Sequence, residues 1–289
     1  MFKSLINLKI IKNFLLNELK KLYRCLLFAK PYIKRNFSVQ VANEVNDQAP
    51  TKVNYNQQIL LEKIFSKNPI VILNGPFIGM KYINRSNHSN LLPKIIGSYE
   101  EPIHRWILDI LEQGRYTTII NVGCAEGYYA VGLVKSKSQP KVLAFDVDNK
   151  ALENARYLAK INDVSNSIKF FERFESSAIT EILESNLCEN ILIFMDIEGE
   201  ELNLLNTFQY PALLRCDVLV ELHDCFYSGI TEKLISYFSE THKIEIIVDY
   251  PYRINTYTFN GKEFSTEDIL YMTDEKRPEK MRWLLAKIK

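Results

Sequence analysis

Residues 117–134, with the sequence TTIINVGCAEGYYAVGLV, restrict the fold of this chain more than any other segment. A short apolar run at 118–122 is followed by Gly123 and Gly127 and then by a stretch with helical apolar spacing. This order predicts a buried strand, a tight turn and a helix, because glycine adopts the backbone conformations that tight turns need. Such a turn lets a ligand approach bare backbone, and the start of the helix is predicted to offer free amide groups.

A second apolar run, residues 141–145, ends at Asp146. At the carboxyl end of the next strand of a parallel sheet, this carboxylate suits the two hydroxyls of a ribose. The glycine spacing is G-x-x-x-G, with Ala125 between the glycines and Glu126 in the turn, whereas the dinucleotide pattern is G-x-G-x-x-G. A carboxylate in the turn would repel a pyrophosphate and suits a cationic or zwitterionic ligand. A glycine turn that binds nothing is the alternative.

Composition excludes several classes of protein. Hydrophobic residues make up 47% and charged residues 25% of the chain, as in an ordinary soluble globule. The net charge of +1 argues against wholesale nucleic-acid binding. The five cysteines are scattered and include no C-x-x-C pair, which argues against a zinc knuckle or a disulfide framework and favours the cytoplasm. No apolar run approaches the ~18–20 residues of a membrane span.

The positive charge is concentrated at the start of the chain. Residues 1–35 contain nine Lys or Arg and one acid, Glu18, and their apolar residues recur at nearly helical spacing. Residues 1–50 are therefore predicted to be a basic amphipathic helical extension and linker, residues 51–97 a loop-rich lid or cap, and residues 98–289 the core domain. Such a helix can lie peripherally on the inner membrane face. Packing on its own domain, or on a second subunit of a homo-oligomer, is the alternative.

Beyond the glycine turn, strand and helix patterns alternate. Five strand–helix pairs and two further strands are predicted, with strands at 117–122, 141–146, 168–172, 190–196, 216–222, 243–250 and 281–288, and helices at 125–136, 149–161, 177–185, 199–207 and 229–240. A short helix is predicted before them at 56–66, and a helix that enters the core at 102–113.

Two polar clusters follow the fourth and fifth predicted strands: Asp196 and Glu198 after one, and Glu221, His223 and Asp224 at the end of the other. Because the carboxyl ends of parallel strands meet at one edge of the sheet, the clusters are expected to converge beside the ligand. They predict either acid–base chemistry through His223 or a divalent cation on Asp196 and Asp224. Asp224 as a helix N-cap is the structural alternative.

The stretch from Asn121 to Asp146 resembles motif I of the class I S-adenosylmethionine methyltransferases, with departures at Asn121, where an acid is usual, and at Ala125. Residues 196–201, DIEGEE, and 220–223, VELH, look like the signature of the FkbM-like members. The resemblance implies an α/β, Rossmann-like fold. Its sheet would have seven mostly parallel strands, helices on both faces and an antiparallel last strand.

The resemblance also implies a function. S-adenosyl-L-methionine would be held by Asn121, Gly123, Cys124, Ala125, Glu126, Gly127, Tyr128 and Asp146. The implied reaction is O-methylation of a hydroxyl on a sugar, glycan, lipid or natural product. The alternatives are a methyltransferase acting on protein and a non-catalytic binding or scaffold module.

Several further residues have expected roles at this site. His223 is the expected general base, tuned by Asp196, Glu198 or Glu221. Tyr99 and Glu100 are expected near the methionine end or the acceptor, with a plain turn as the alternative. Exposure is expected for three arginines near the C-terminus, Arg253, Arg277 and Arg282.

Overall fold

A computed structural model describes residues 52–66, 68–184, 190–250, 253, 255–277 and 280–289. Residues 57–289 form one compact unit. The predicted basic helix and linker, residues 1–50, lie outside the described residues. No helix within the described ranges has both the length and the apolar character that crossing a membrane requires.

Strands and helices alternate through the core, as predicted. The strands are β1 (Thr118–Val122), β2 (Lys141–Phe145), β3 (Ile168–Phe171), β4 (Ile191–Met195), β5 (Asp217–Leu222), β6 (His242–Val248) and β7 (Arg282–Ile288). The helices are α1 (Lys52–Phe65), α2 (Leu91–Ile96), α3 (His104–Gln113), α4 (Tyr128–Leu133), α5 (Asn149–Ile161), α6 (Ala178–Glu184), α7 (Glu201–Leu204), α8 (Ile230–Phe238) and α9 (Thr266–Thr273). Short 3-10 turns lie at Glu101–Ile103, Ser165–Ser167 and Pro211–Arg215.

The strands form one sheet in the order β3-β2-β1-β4-β5-β7-β6. Strands β1 to β5 pair in parallel, and β7 runs antiparallel to both of its neighbours, β5 and β6. The predicted Rossmann-like fold, with seven mostly parallel strands and an antiparallel last strand, is confirmed. The strand order reverses between β1 and β4, and ligands of such sheets bind at the carboxyl edge beside this point.

Alternate residues of β1 face the two sides of the sheet. Ile119 belongs to a hydrophobic cluster with α3, α4 and α5, and Ile120 belongs to a second cluster with α6 and α8. Because a strand alternates its side chains, an unbroken apolar run such as β1 needs helices on both faces. The two clusters provide this cover, as the fold class predicts.

Most predicted elements have nearly the predicted bounds, and α5 matches them to the residue. The predicted helices at 125–136 and 199–207 are wrong in length, because the turn occupies residues up to Gly127 and α7 contains only four residues. Two helices, α2 and α9, were not predicted. All six residues of α2 are buried, so it has no amphipathic pattern, and Ser265 caps α9 by accepting from the N–H of Asp268.

The segment from residue 70 to 97 packs against α4. Val71 and Lys81 form an isolated antiparallel bridge. The ring of Phe77 lies so close to Gly132 of α4 that a Cβ there would come within 2.5 Å of it. We call residues 70–97 the cap segment. Its predicted role as a lid stays a prediction.

Candidate functional site

A cavity of about 590 Å³ lies at the carboxyl ends of β1, β2 and β4, with the cap segment along one side. Its wall includes eight of the predicted site residues: Tyr99, Gly123, Cys124, Ala125, Tyr128, Asp146, Asp196 and Glu198. The remaining wall residues are Asn87, His88, Ser89, Lys94, Val122, Tyr129, Phe145, Val147, Glu172, Arg173, Phe174, Phe194, Ile197, Glu200 and Leu204.

The backbone at the glycine turn passes very close to the segment after β4. Gly123 has φ +78°, and a Cβ at this position would lie 1.7 Å from the carbonyl oxygen of Asp196. Only glycine fits there, so the turn and Asp196 are held side by side. Ala125 (φ +46°) and Glu198 (φ +54°) also have left-handed backbones, a conformation that costs free energy for non-glycine residues and concentrates at functional sites.

Three amide groups of the turn itself are already paired within the protein, while the predicted free amides at the start of the helix stay a prediction. The N–H groups of Gly123 and Cys124 each donate to the carbonyl oxygen of Phe145 over 2.9 Å. The N–H of Ala125 donates to Asp146 Oδ2 over 2.7 Å. A pyrophosphate needs unpaired amides of this kind. The geometry therefore agrees with the glycine spacing in disfavouring a dinucleotide.

Asp146 lies at the end of β2, half-buried in the cavity wall. Its second oxygen, Oδ1, accepts from the N–H of Asp148 over 2.8 Å, so both oxygens have one protein donor and each keeps a lone pair. Beside it, Phe145 and Phe174 pack edge to face at 5.2 Å, and Val147 is 83% exposed. A carboxylate flanked by apolar side chains suits a ribose with a flat base.

Glu126, expected among the cofactor-binding residues, is fully buried and is not part of the cavity wall. Its carboxylate accepts from Lys94 Nζ at 2.5 Å, Tyr82 Oη at 2.6 Å, Ser86 Oγ at 3.0 Å and the N–H of Asn87 at 2.8 Å. Burial alone would raise the pKa of Glu126, but Lys94 and these donors lower it below its usual value. Glu126 therefore joins the turn to the cap segment.

Two other predicted cofactor residues, Asn121 and Gly127, also lie outside the cavity wall. Asn121 Nδ2 donates to the carbonyl oxygen of Phe194 over 3.4 Å, and Asn121 Oδ1 is buried without a partner among the described residues. Gly127 has φ +94°, and a Cβ there would lie 3.1 Å from that of Ala155 in α5. Gly127 thus permits close helix packing.

The predicted lid residues Tyr99 and Glu100 have different surroundings. Tyr99 lines the cavity. Glu100 is buried behind the wall, where its carboxylate accepts from the hydroxyl of Tyr129 and pairs with Arg277 over 2.8 Å. Since Tyr129 also lines the cavity, Glu100 supports the wall and does not face a ligand.

Asp196 and His223 come together as predicted, but only Asp196 faces the cavity. His223 is buried behind it, with Nε2 3.6 Å from Asp196 Oδ1 and Nδ1 2.5 Å from Glu201 Oε1. Burial lowers the pKa of His223, but the hydrogen bond to Glu201 and the charges of Asp196, Glu201 and Glu198 outweigh it, so the pKa is raised above 6.5.

Glu201 was missed as a partner of His223. It is fully buried at the first position of α7, where the sequence favoured an ordinary first-turn acid. The signal was its place in the DIEGEE stretch, five residues after Asp196.

Glu221 is buried at the end of β5 and pairs with Arg277. Burial and the neighbouring charge of Asp196 raise the pKa of Glu221 well above its usual value, although Arg277 opposes the shift.

The expectation of exposed arginines is wrong for Arg253 and Arg277, whose side chains are 7% and 14% exposed. Both pair with the carboxylate of Glu275, and Arg277 also binds Glu100 and Glu221. Arg282 is exposed, as expected. Arg277 thus joins the end of β5 to Glu100, three residues after the cap segment.

Asp224 is not a metal ligand in this geometry. Its two carboxylate oxygens accept from the N–H (3.2 Å) and hydroxyl (2.5 Å) of Thr231 in α8, although the N-cap residue of α8 is Gly229 and not Asp224. Asp196, Glu221 and His223 each offer one ligand atom, and these atoms lie within 4.8 Å of one another. A cation on this trio would require neutral His223, because imidazolium has no free lone pair for a metal.

No family model matches the chain, and no curated protein matches it significantly. Among solved structures, it is similar to an O-methyltransferase from Bacillus cereus in complex with SAH, at 10% identity over 86% of this chain and 96% of that chain, with a TM-score of 0.44. It is also similar to the O-methyltransferase TomG from Streptomyces achromogenes, involved in tomaymycin synthesis, in complex with SAM (10% identity, 89% and 96%, TM-score 0.43). A third similar structure is an rRNA methylase from Streptococcus thermophilus (15% identity, 65% and 97%, TM-score 0.43). At these identities the likeness is one of fold.

Proposed function

We propose that this protein is an S-adenosylmethionine-dependent methyltransferase that methylates a hydroxyl of a sugar, glycan, lipid or natural product. The observation that most supports the proposal is the arrangement of Asp146 and the glycine turn at the edge where the strand order reverses. A carboxylate suited to a ribose lies there beside a turn whose Gly123, Cys124 and Ala125 amides are already paired. That combination suits a nucleoside without phosphates.

The residues present fit this cofactor. Asp146 keeps lone pairs for the ribose hydroxyls, and Phe145, Val147 and Phe174 offer apolar surface for the adenine. The opposite end of the cavity contains acids and aromatic rings, which suit a sulfonium and an ammonium group.

When bound, S-adenosylmethionine supplies a methyl carbon that is open to attack by an oxygen nucleophile. The C–S bond breaks as the C–O bond forms, its electron pair stays on sulfur, and the hydroxyl proton must leave. Asp196 faces the cavity, so it is the group that we expect to accept this proton. His223, held by Glu201, positions Asp196 and receives the proton from it when His223 is neutral. General bases of this kind contribute typically about 10²–10⁴-fold.

The proposed cofactor is tested first by isothermal titration of the full-length protein with S-adenosylmethionine, with NAD as the control. We expect a dissociation constant below millimolar for S-adenosylmethionine and no heat with NAD. Binding of NAD but not of S-adenosylmethionine would contradict the inference that the paired amides of the turn disfavour a dinucleotide. Affinity for S-adenosylmethionine much weaker than millimolar would favour the scaffold alternative, whose support is Asn121 in place of an acid.

The acceptor is tested by transfer of a tritiated methyl group to a panel of hydroxylated glycans, lipids and natural products. Label that resists base hydrolysis, as an ether does, would support O-methylation of a hydroxyl. Label found only in protein would favour the protein-methyltransferase alternative.

A further inference from the structure

Lys94, in α2, is a charged side chain of the cavity wall that the sequence did not single out. It is only 2% exposed, and its Nζ lies 2.5 Å from Glu126 Oε1 and 4.9 Å from the centroid of the Tyr99 ring. An ammonium group has three N–H donors. Within the described part of the chain, Glu126 is its hydrogen-bond acceptor, which leaves donors for a further one.

The ion pair between Lys94 and Glu126 has a defined direction relative to the cavity. Lys94 belongs to the cavity wall and Glu126 does not, so the pair presents its positive end to the cavity. The ion pair with Glu126 is enough to explain why Lys94 is buried. It does not account for the unused N–H donors of Lys94 or for its place in the cavity wall, and both of these suit an anionic group inside the cavity.

The direction in which S-adenosylmethionine would lie follows from the cavity wall. With the ribose on Asp146 and the base beside Phe174, the amino-acid part runs toward the β4 side, where the wall contains Tyr99, Phe194 and Asp196. Lys94 lies on this side, since it stacks against Tyr99.

The two other basic residues of the wall lie at the adenosine end. His88 contacts Asp148, just after β2, and Arg173, 79% exposed, pairs with Glu175 after β3. Lys94 is thus the cation placed to meet the methionine end.

We propose that Lys94 binds the α-carboxylate of the methionine part of S-adenosylmethionine, with Glu126 orienting its ammonium group. The inference rests on the proposed function. Acids at the same end, Asp196 and Glu198, attract the ammonium and sulfonium groups and would repel the carboxylate. Lys94 offsets this repulsion.

The test compares S-adenosylmethionine with its decarboxylated form by isothermal titration. The wild-type protein is expected to bind S-adenosylmethionine at least about tenfold more tightly, as a hydrogen bond between charged groups implies. In Lys94→Met this preference should fall to near one, and in Lys94→Arg it should partly persist. Lys81→Met is the matched control, because the exposed Lys81 side chain pairs with exposed Asp163 at 3.7 Å.

Removing Lys94 leaves Glu126 without its cation, so the double variant Lys94→Met/Glu126→Gln is measured too, with melting temperatures for all variants. A wild-type preference near one overturns the inference without any variant. A preference that survives in folded Lys94→Met, or in the double variant, also overturns it. Both results leave the proposed function intact if S-adenosylmethionine still binds. Absence of any S-adenosylmethionine binding to the wild type would overturn the proposed function itself.

Discussion

Asp146 Oδ2 accepts a 2.7 Å hydrogen bond from the N–H of Ala125, so the carboxylate expected to hold a ribose also holds the glycine turn. Ala125 has a left-handed backbone, which is unfavourable for a residue with a Cβ. The bond from Asp146 helps to keep it there. Binding and local structure are therefore coupled through one side chain.

Asp146→Ala is expected to lower the affinity for S-adenosylmethionine at least about tenfold, because hydrogen bonds to charged groups are worth roughly 1.5–3 kcal/mol. It should also lower the free energy of unfolding by about 1–3 kcal/mol, because two backbone N–H donors lose their acceptor. Asp146→Asn keeps an oxygen acceptor and should lose affinity with less loss of stability. Isothermal titration and urea denaturation measure the two effects.

Asp163→Asn is the control for removing a carboxylate, since the Asp163 side chain is 86% exposed. Asp163→Asn should change neither the affinity for S-adenosylmethionine nor the free energy of unfolding. If Asp146→Ala bound S-adenosylmethionine as tightly as the wild type does, the ribose would have to lie elsewhere.

Much of the fold was accessible from the sequence, because the buried strands are short apolar runs and glycines mark the turns. Helix α5 was predicted to the residue, since its apolar spacing begins just after Asp148, whose side chain accepts from the N–H of Lys150. Helix α2 could not be found in this way, because a helix that is buried all round has no periodic polar face.

The position of the site could be predicted from the sequence, but the surroundings of its individual side chains could not. The residues that converge at the edge follow from strand ends alone. That Glu126 is buried outside the cavity wall depends on Lys94 and Tyr82, more than 30 residues earlier in the chain. The burial of Arg277 likewise depends on Glu100 and Glu221, which are 177 and 56 residues away. Side-chain pairs so distant leave no local pattern.

Glu126→Gln is expected to destabilise the protein by about 3–5 kcal/mol, the usual cost of removing one partner of a buried ion pair. Its effect should depend on pH. The pKa of Glu126 is lowered in the folded state, so its stabilisation is present above the unfolded pKa and is lost as the pH falls through the folded value.

The difference in unfolding free energy between wild type and Glu126→Gln should therefore shrink in acid, as measured by urea denaturation from neutral pH downward. Asp163→Asn again provides the exposed control. A pH-independent difference would mean that Glu126 contributes through packing and not through its charge.

Arg277→Met is expected to lower the melting temperature and the affinity for S-adenosylmethionine together, because it frees buried Glu100, which supports cavity residue Tyr129. Arg277→Lys should restore little of the melting temperature or of the affinity. One ammonium group cannot bind the carboxylates of Glu100, Glu221 and Glu275 together as the planar guanidinium does. Arg282→Met, on the exposed start of β7, is the control. Full rescue by lysine would show that only the charge matters.

Residues 1–35 are predicted to bind anionic vesicles through their nine basic residues. Exposed charges are screened over about 8 Å at physiological ionic strength, so the binding should weaken as salt is added. Co-sedimentation of the full-length protein with anionic and neutral vesicles, at low and high salt, measures this. If the protein does not bind anionic vesicles at low salt, residues 1–35 instead pack on their own domain or on another subunit.

The pH dependence of His223 links stability to catalysis. Its pKa is raised above 6.5 in the folded state, because the bond to Glu201 and the nearby acids outweigh burial. Its stabilisation is therefore fully present below the unfolded pKa of about 6.5 and is lost as the pH rises through the folded value. The melting temperature of the wild type should exceed that of His223→Gln most at acidic pH, and the difference should shrink as the pH rises.

Turnover should follow the opposite trend, because only neutral His223 can take up the proton from Asp196. The rate is expected to rise with pH through a limb above 6.5, and His223→Gln should lose both that limb and about 10²-fold or more of the turnover, while cofactor affinity holds. EDTA should have little effect, since the proposed relay uses no metal and Asp224 is bonded to Thr231. If chelation abolished activity, Mg²⁺ restored it and His223→Gln still turned over, a metal held by Asp196 and Glu221 would replace the proton relay.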